Sequence, residues 1–326
     1  MRDEMQVKRG DGLKAISSLL AELEDLKRQQ PAHYHQSIAS TLFTESWRRL
    51  LAGENSESVA YLVTTKALLA LLLPGCDQHF IYQSGLSRAD AAELYHKALR
   101  EAGGGKLHEE QYEHLVQSID QLMDEYYESI QEPNEDLLPD DFQIRAWFVR
   151  VLCKQPRAGA TSPGKARLLL LPPETHGDHC LTTAVMAVLL SPYFGASAAR
   201  PFLAGLSHHL HNAIMTDCGF AGEELIKPWL GDIMRRGQDK AISGLPQELA
   251  EEIRDALAIH ENLELAEGKA VSAADVIDRV LDVQWRTQAA QVTNEDILAE
   301  RELVHPGPLK DFQDRLLAKA GIWPTH

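Results

Sequence analysis

Five of the chain's fourteen histidines fall within residues 176–211: His176, His179, His208, His209 and His211. Fourteen histidines spread evenly over 326 residues would place about 1.5 in such a window. Neutral imidazole is the commonest metal ligand, because it binds without a charge that must first lose its water. The clustering therefore directs attention to a metal site. His179 opens an apolar run, His179-Cys-Leu-Thr-Thr-Ala-Val-Met-Ala-Val-Leu-Leu, and His176 shares its face if the helix begins by then. Phe202-Leu-Ala-Gly-Leu-Ser-His208-His209-Leu-His211-Asn212-Ala reads as a second apolar helix whose polar interruption is nearly all imidazole. On a continuous helix His208 and His211 are neighbours and His209 points about 100° away. Burying such groups is costly unless something satisfies them.

Carboxylates follow. Ala273-Ala274-Asp275-Val276-Ile277-Asp278-Arg279-Val280-Leu281 places an Asp inside a small-apolar helical run, where it needs a partner. Asp275 is either a ligand or the partner of Arg279 one turn on, and Asp278 competes for the ligand role. Asp217, in the loop-like Thr216-Asp217-Cys218-Gly219-Phe220, offers a further carboxylate, and His260 lies nearby in sequence. Residues from three separate helices can converge on one ion in a bundle interior. A mixed His/carboxylate set suits one divalent ion of Mn, Fe, Co, Ni or Zn better than Mg, which prefers oxygen. The alternative is a set of hydrogen-bonded core histidines with no ion.

The elements that must position these groups have the helical period almost throughout. Leu13, Ile16, Leu19, Leu20 and Leu23 follow i, i+3, i+4, i+7, as do Leu115, Ile119, Leu122 and Tyr126. Further helices are expected near 37–52, 57–73, 88–102, 137–154, 178–191, 198–213, 246–260, 271–286 and 308–320. Leu168–Leu171 is the only strand-like run, and it ends at Pro172-Pro173. The expected fold is all-α, a helical bundle. Lys154–Arg167, rich in Pro, Gly and cations, reads as a linker. It divides a helical N-terminal region of unknown role (1–155) from a helical metal-binding domain (168–326). Gly159–Ala166 imitates a phosphate loop, but Ala166 stands where a Ser or Thr must ligate magnesium. Eight carboxylates and no Lys or Arg lie between Asp124 and Asp141, read as a solvated helix end and loop.

Composition narrows the partners. With 32 basic and 48 acidic residues the net charge is −16, and no basic run reaches five, so extended nucleic acid is disfavoured. The apolar stretches, such as Ala67–Leu73, are shorter than the roughly 20 residues of a membrane span. Cys76, Cys153, Cys180 and Cys218 form no C-x-x-C pair and read as reduced thiols. With no signal-like start, a cytoplasmic protein with no membrane association is expected. A homo-oligomer is compatible with all of this.

The order His179, about thirty residues, His208-His209, about 65 residues, Ala274-Asp275 resembles the HD-domain superfamily of metal-dependent phosphohydrolases. The resemblance covers roughly residues 170–290. It implies a wholly helical fold with His179 as the first ligand, His208 as the first residue of the doublet and Asp275 as the terminal Asp. This chain departs at His209, where the family has the doublet's Asp. One imidazole nitrogen cannot bridge two ions as that carboxylate does, which favours a mononuclear site. The implied reaction is hydrolysis of a small phosphate ester or nucleotide by a metal-activated water whose pKa falls towards about 7. On that reading Arg279, Lys227 and Arg254 are the nearest cations for a phosphate, and Glu223 or Glu224 is the candidate general base. The lost doublet Asp favours a second reading: a degenerate, non-catalytic signalling, ligand-binding or scaffold protein. A third class, a binding protein using the acidic N-terminal helices, rests on composition.

Overall fold

The computed structural model describes residues 13–128, 140–260 and 262–291. It is all-α, and no strand forms among the described residues. Helix α1 (13–22) runs into a 3-10 turn, Leu23–Lys27. There follow α2 (Ile38–Leu51), α3 (Ser56–Leu72), α4 (Gln78–Ser84), α5 (Arg88–Gly103) and α6 (Glu109–Glu128). After these come α7 (Asp140–Arg145), α8 (Trp147–Leu152), α9 (His176–Phe194) and α10 (Ala199–Ser207). A 3-10 turn (Leu210–Ala213) leads to α11 (Gly219–Ile242), α12 (Gln247–His260) and α13 (Ala266–Gln291).

The starts of these helices follow from side chains that take up otherwise orphaned amides. Ser37 Oγ accepts the Ser40 amide at α2, Asn55 Oδ1 accepts two amides at α3, and Ser87 Oγ accepts the Asp90 amide at α5. Helix α9 has a full capping box: Thr175 Oγ1 accepts the Asp178 amide while Asp178 accepts the Thr175 amide. That box fixes the helix start at His176, so His176 and His179 do share a face, one turn apart.

Helix α9 is the axis of the core, buried from His176 to Ser191. A helix apolar all round must be surrounded, and α2, α3 and α10 pack against it. Helices α3, α5 and α6 pack on one another, α10 packs on α12, and α11 packs on the 3-10 turn at Leu210–Ala213. Gly205 is required where α10 crosses α9, because a Cβ there would lie 2.5 Å from Ala184 Cα. The crossing therefore sets how deeply the histidine-bearing end of α10 sits.

The expected boundary at Lys154–Arg167 falls inside one compact unit, Met1–Asp282; the second unit, Val283–His326, is described only to the end of α13. The segment is tied to the start of α9. The Arg157 amide donates to the Glu174 carbonyl (2.8 Å), and the His176 amide donates to the Gln155 carbonyl (3.2 Å). Leu168–Leu171 is no strand: Leu168 makes a single bridge to Ala160, and Leu168, Leu169 and Leu171 are exposed. The acidic stretch is described only at its ends; Asp124 pairs with Arg88 and Glu125 with Arg49. The helix expected at 308–320 lies outside the described residues. Helix α11 was not anticipated; Pro228 interrupts its pattern, and Leu225 and Trp229 point to solvent.

Candidate metal centre

Helix α10 stops at Ser207, so the continuous-helix geometry expected for the doublet does not hold. The chain turns at His209 (φ −103°, ψ 16°) into the 3-10 turn. The break lets both imidazoles of the doublet face the start of α9. Ring centroids of His208 and His209 are 4.3 Å apart and lie 5.0 and 5.1 Å from that of His179. His176 lies 5.0 Å and His211 5.6 Å from His209, and His260 stacks on His208 at 5.2 Å. Six histidines thus form one cluster drawn from α9, the doublet turn and α12.

Their hydrogen bonds fix which nitrogen each presents. Asp278 accepts from His179 Nδ1–H at 2.6 Å, and the Gly205 carbonyl accepts from His208 Nδ1–H at 2.8 Å. Asn212 Oδ1 accepts from His209 Nδ1–H at 2.8 Å, its own amide NH2 donating to the Met215 carbonyl. In the neutral imidazole one nitrogen carries the proton and the other a lone pair, so Nε2 is the bare atom on all three rings. His179 Nε2 and His208 Nε2 are 3.1 Å apart, and Asp275 Oδ1 is 3.3 Å from His179 Nε2. With all three rings neutral, three acceptors face one another with no donor among them.

A cation resolves that clash, and the spacing fits one. Ligands about 2.1 Å from an ion lie about 3.0 Å apart at right angles and about 3.4 Å apart at tetrahedral angles. Candidate ligand atoms of His179, His208 and His209 all fall within 4.8 Å of one another. Burial, and then neighbouring His179, holds His208 well below the usual imidazole range; burial, and then His208, does the same to His209. Both are therefore neutral imidazoles at neutral pH, each able to offer a lone pair to an ion. The Arg279 guanidinium, 3.0 Å from Asp275, favours the ionised form of that carboxylate.

Asp275 and Asp278 part company on geometry. Asp275 faces the Nε2 edge of His179, and Asp278 holds the Nδ1 edge. Asp278 is fully buried and also accepts from Thr182 Oγ1 and from Lys27 Nζ (2.8 Å). Burial acts to raise its pKa, and Lys27 and His179 together pull it far below the ordinary value. It has the place of a carboxylate that orients a metal-bound imidazole. Glu174, His179 and Asp278 also have a metal-like spacing, but the Lys27 ammonium stands among these carboxylates.

The remaining expected residues scatter. Asp217 meets the cluster at His176 (Oδ2 to Nε2, 3.7 Å), while its two oxygens accept the Ala158 and Gly219 amides. Asp217 is thus a neighbour of the outer edge of the cluster, held by the segment it caps. Arg279 pairs with Asp275 at 3.0 Å and is mostly exposed, which places a cation at the rim. Lys227 pairs with Glu224 on the exposed side of α11, and half-buried Glu223 lies on the same helix; no described contact joins these three to the cluster. Lys27, Glu174 and Arg157 were not anticipated. Arg157 salt-bridges Glu174 at 3.5 Å, and its charge depresses the pKa of His176 and His209 after burial has done so. Neither ring nitrogen of fully buried His176 finds a hydrogen-bond partner among the described residues.

No helix of the described residues is long and apolar enough to cross a membrane, and all four cysteines are free. Comparisons of the chain with known protein families, with curated proteins and with solved structures find no match in any of the three.

Proposed function

We propose that the chain is a one-metal phosphohydrolase of HD type, acting on a small phosphate ester or nucleotide. The observation that carries the reading is the convergence of bare His179 Nε2, bare His208 Nε2 and ionised Asp275 with every Nδ1–H already engaged. His209 is the fourth ligand. A bound Mn, Fe, Co, Ni or Zn ion supplies a water of lowered pKa and polarises a phosphoryl oxygen. Three imidazoles and one carboxylate leave places for water and substrate on an octahedral ion.

The chain's own residues bind and orient. Arg279, at the rim beside Asp275, is the cation placed to meet a phosphate, and Arg157 adds a second guanidinium on the inner side. Lys227 loses that role to its partner Glu224 and its exposure. The general-base assignment to Glu223 or Glu224 has no support from their position on α11, and Asp217, one residue group away at His176, is the better-placed carboxylate.

The second reading, a degenerate binding or scaffold protein, draws on one observation: His209 stands where the resemblance expects an Asp. Turnover separates the two. Protein purified without chelator is loaded in turn with Mn, Fe, Co, Ni and Zn and assayed on p-nitrophenyl phosphate and nucleoside monophosphates. Activity that His208→Ala abolishes supports the hydrolase; stoichiometric metal with no turnover supports the scaffold.

A further inference from the structure

We infer that Lys27 is the resident cation of a second position beside the metal centre and, through Asp278, the positioning residue for His179. The inference rests on the metal-site reading of His179. The 3-10 turn Leu23–Lys27 delivers an ammonium whose side chain is 1 % exposed. Around it stand Glu174 Oε1 at 2.6 Å, Asp278 Oδ1 at 2.8 Å and Glu24 Oε1 at 3.0 Å, all buried. A buried lysine with no partner would lose its proton, and three buried carboxylates with no cation would take protons up. Lys27 and Asp278 hold each other charged, whereas burial, outweighing Lys27, pushes Glu24 up to about 8. Burial acts to lower the Lys27 pKa, and Asp278, Glu174 and Glu24 more than reverse it.

The arrangement ends at the metal ligand. One oxygen of Asp278 accepts from Lys27 and the other accepts from His179 Nδ1–H, so the ammonium fixes both the charge and the rotation of the carboxylate. Glu174 and Asp278, with His179, have the spacing of a second metal site, and Lys27 fills it. The N-terminal region thereby completes the centre with a covalently tethered cation, which accounts for a one-ion site in which His209 need not bridge. Arg28, paired with Glu24 and Asp282, repeats the pattern one residue on and closes the outer side of the same network.

The test is Zn2+ and Mn2+ affinity of the full chain, measured by competition with a chromophoric chelator, for wild type, Lys27→Met and Lys27→Met/Glu174→Gln. The double variant removes one charge of each sign and so preserves the fold if the single variant does not; circular dichroism reports folding. Loss of an orienting partner of this kind costs about 10–100-fold in metal affinity, and that loss is expected in whichever variant folds. A folded variant that binds the ion as wild type does, with only its melting temperature lowered, overturns the inference and leaves Lys27 a stability residue. Wild-type protein that binds neither ion overturns the metal site itself, a distinct result.

Discussion

His179 and His208 turn their Nε2 atoms towards each other at 3.1 Å, each with its Nδ1–H already given away. In neutral rings two lone pairs at that distance in a buried site repel, and the Asp275 oxygen beside them adds to the repulsion. A proton on His179 Nε2 would satisfy one neighbour at a time. A divalent ion satisfies all three, and the predictions below follow from that difference.

The two aspartates of α13 have different duties and should fail differently. Asp275→Ala removes a ligand and should abolish measurable metal binding. Asp278→Asn keeps the shape but weakens the hold on His179 Nδ1–H, with an expected loss of about 10–100-fold in affinity. Isothermal titration with Zn2+ checks both; equal losses would contradict the assignment.

The rim and the α11 residues can be told apart in the same way. Arg279→Ala should change stability by no more than about 1 kcal/mol, because the Arg279 side chain is largely solvent-exposed although Asp275 is mostly buried. It should raise KM for a phosphate substrate while leaving metal content intact. Lys227→Ala and Glu224→Gln, an exposed pair, should alter neither. A KM unmoved by Arg279→Ala would remove it from the substrate site.

Acid should destabilise the metal-free fold through the outer histidines. Burial, and then the Arg157 charge, pushes His176 down to about 3, and burial pushes His211 down to about 4. Between the ordinary imidazole value of about 6.5 and these lower values the unfolded chain binds protons that the folded chain refuses. Their contribution is thus present above pH ~6.5 and lost as the pH falls towards 4 and 3. The slope is at most about 1.4 kcal/mol per pH unit for each histidine. Melting temperatures of chelator-treated protein from pH 7.5 to 5 should fall, and His176→Gln should flatten the curve. A wild-type profile that is already flat would contradict the assignment.

Gly205 sets the depth of α10 on α9. Gly205→Ala would gain about 1 kcal/mol of helix propensity. The new Cβ would meet Ala184 backbone atoms at 2.5 and 2.7 Å, and backbone cannot step aside as a side-chain end can. Overpacking should win, with a net loss of about 1–3 kcal/mol in chemical denaturation. Because the Gly205 carbonyl accepts from His208 Nδ1–H, metal affinity should fall as well. A variant as stable as wild type would show that the helices separate without cost.

The histidines were legible in the sequence because they are close together along it, and because imidazole in an apolar helix has few inexpensive explanations. The choice between Asp275 and Asp278 was not, since one helical turn separates them and both occupy apolar surroundings. Only the edge of His179 that each one meets distinguishes them. Lys27 was invisible for a different reason. In Glu24-Asp25-Leu26-Lys27-Arg28 it reads as one charge among several on a surface turn, and nothing local says that the turn is buried against α9 and Asp278. The ties of the Lys154–Arg167 segment to α9 were invisible for the same reason: the amide bonds of Arg157 and His176 belong to contacts, which composition does not encode.

The central claim is that these imidazoles hold an ion. Metal per chain, by elemental analysis on untagged protein purified without chelator, tests it most directly. One transition metal ion per wild-type chain, lost in His208→Ala that still folds, is the result predicted. Wild-type protein that stays metal-free after soaking in Mn, Fe, Co, Ni and Zn, or a His208→Ala chain that keeps its ion, would contradict it.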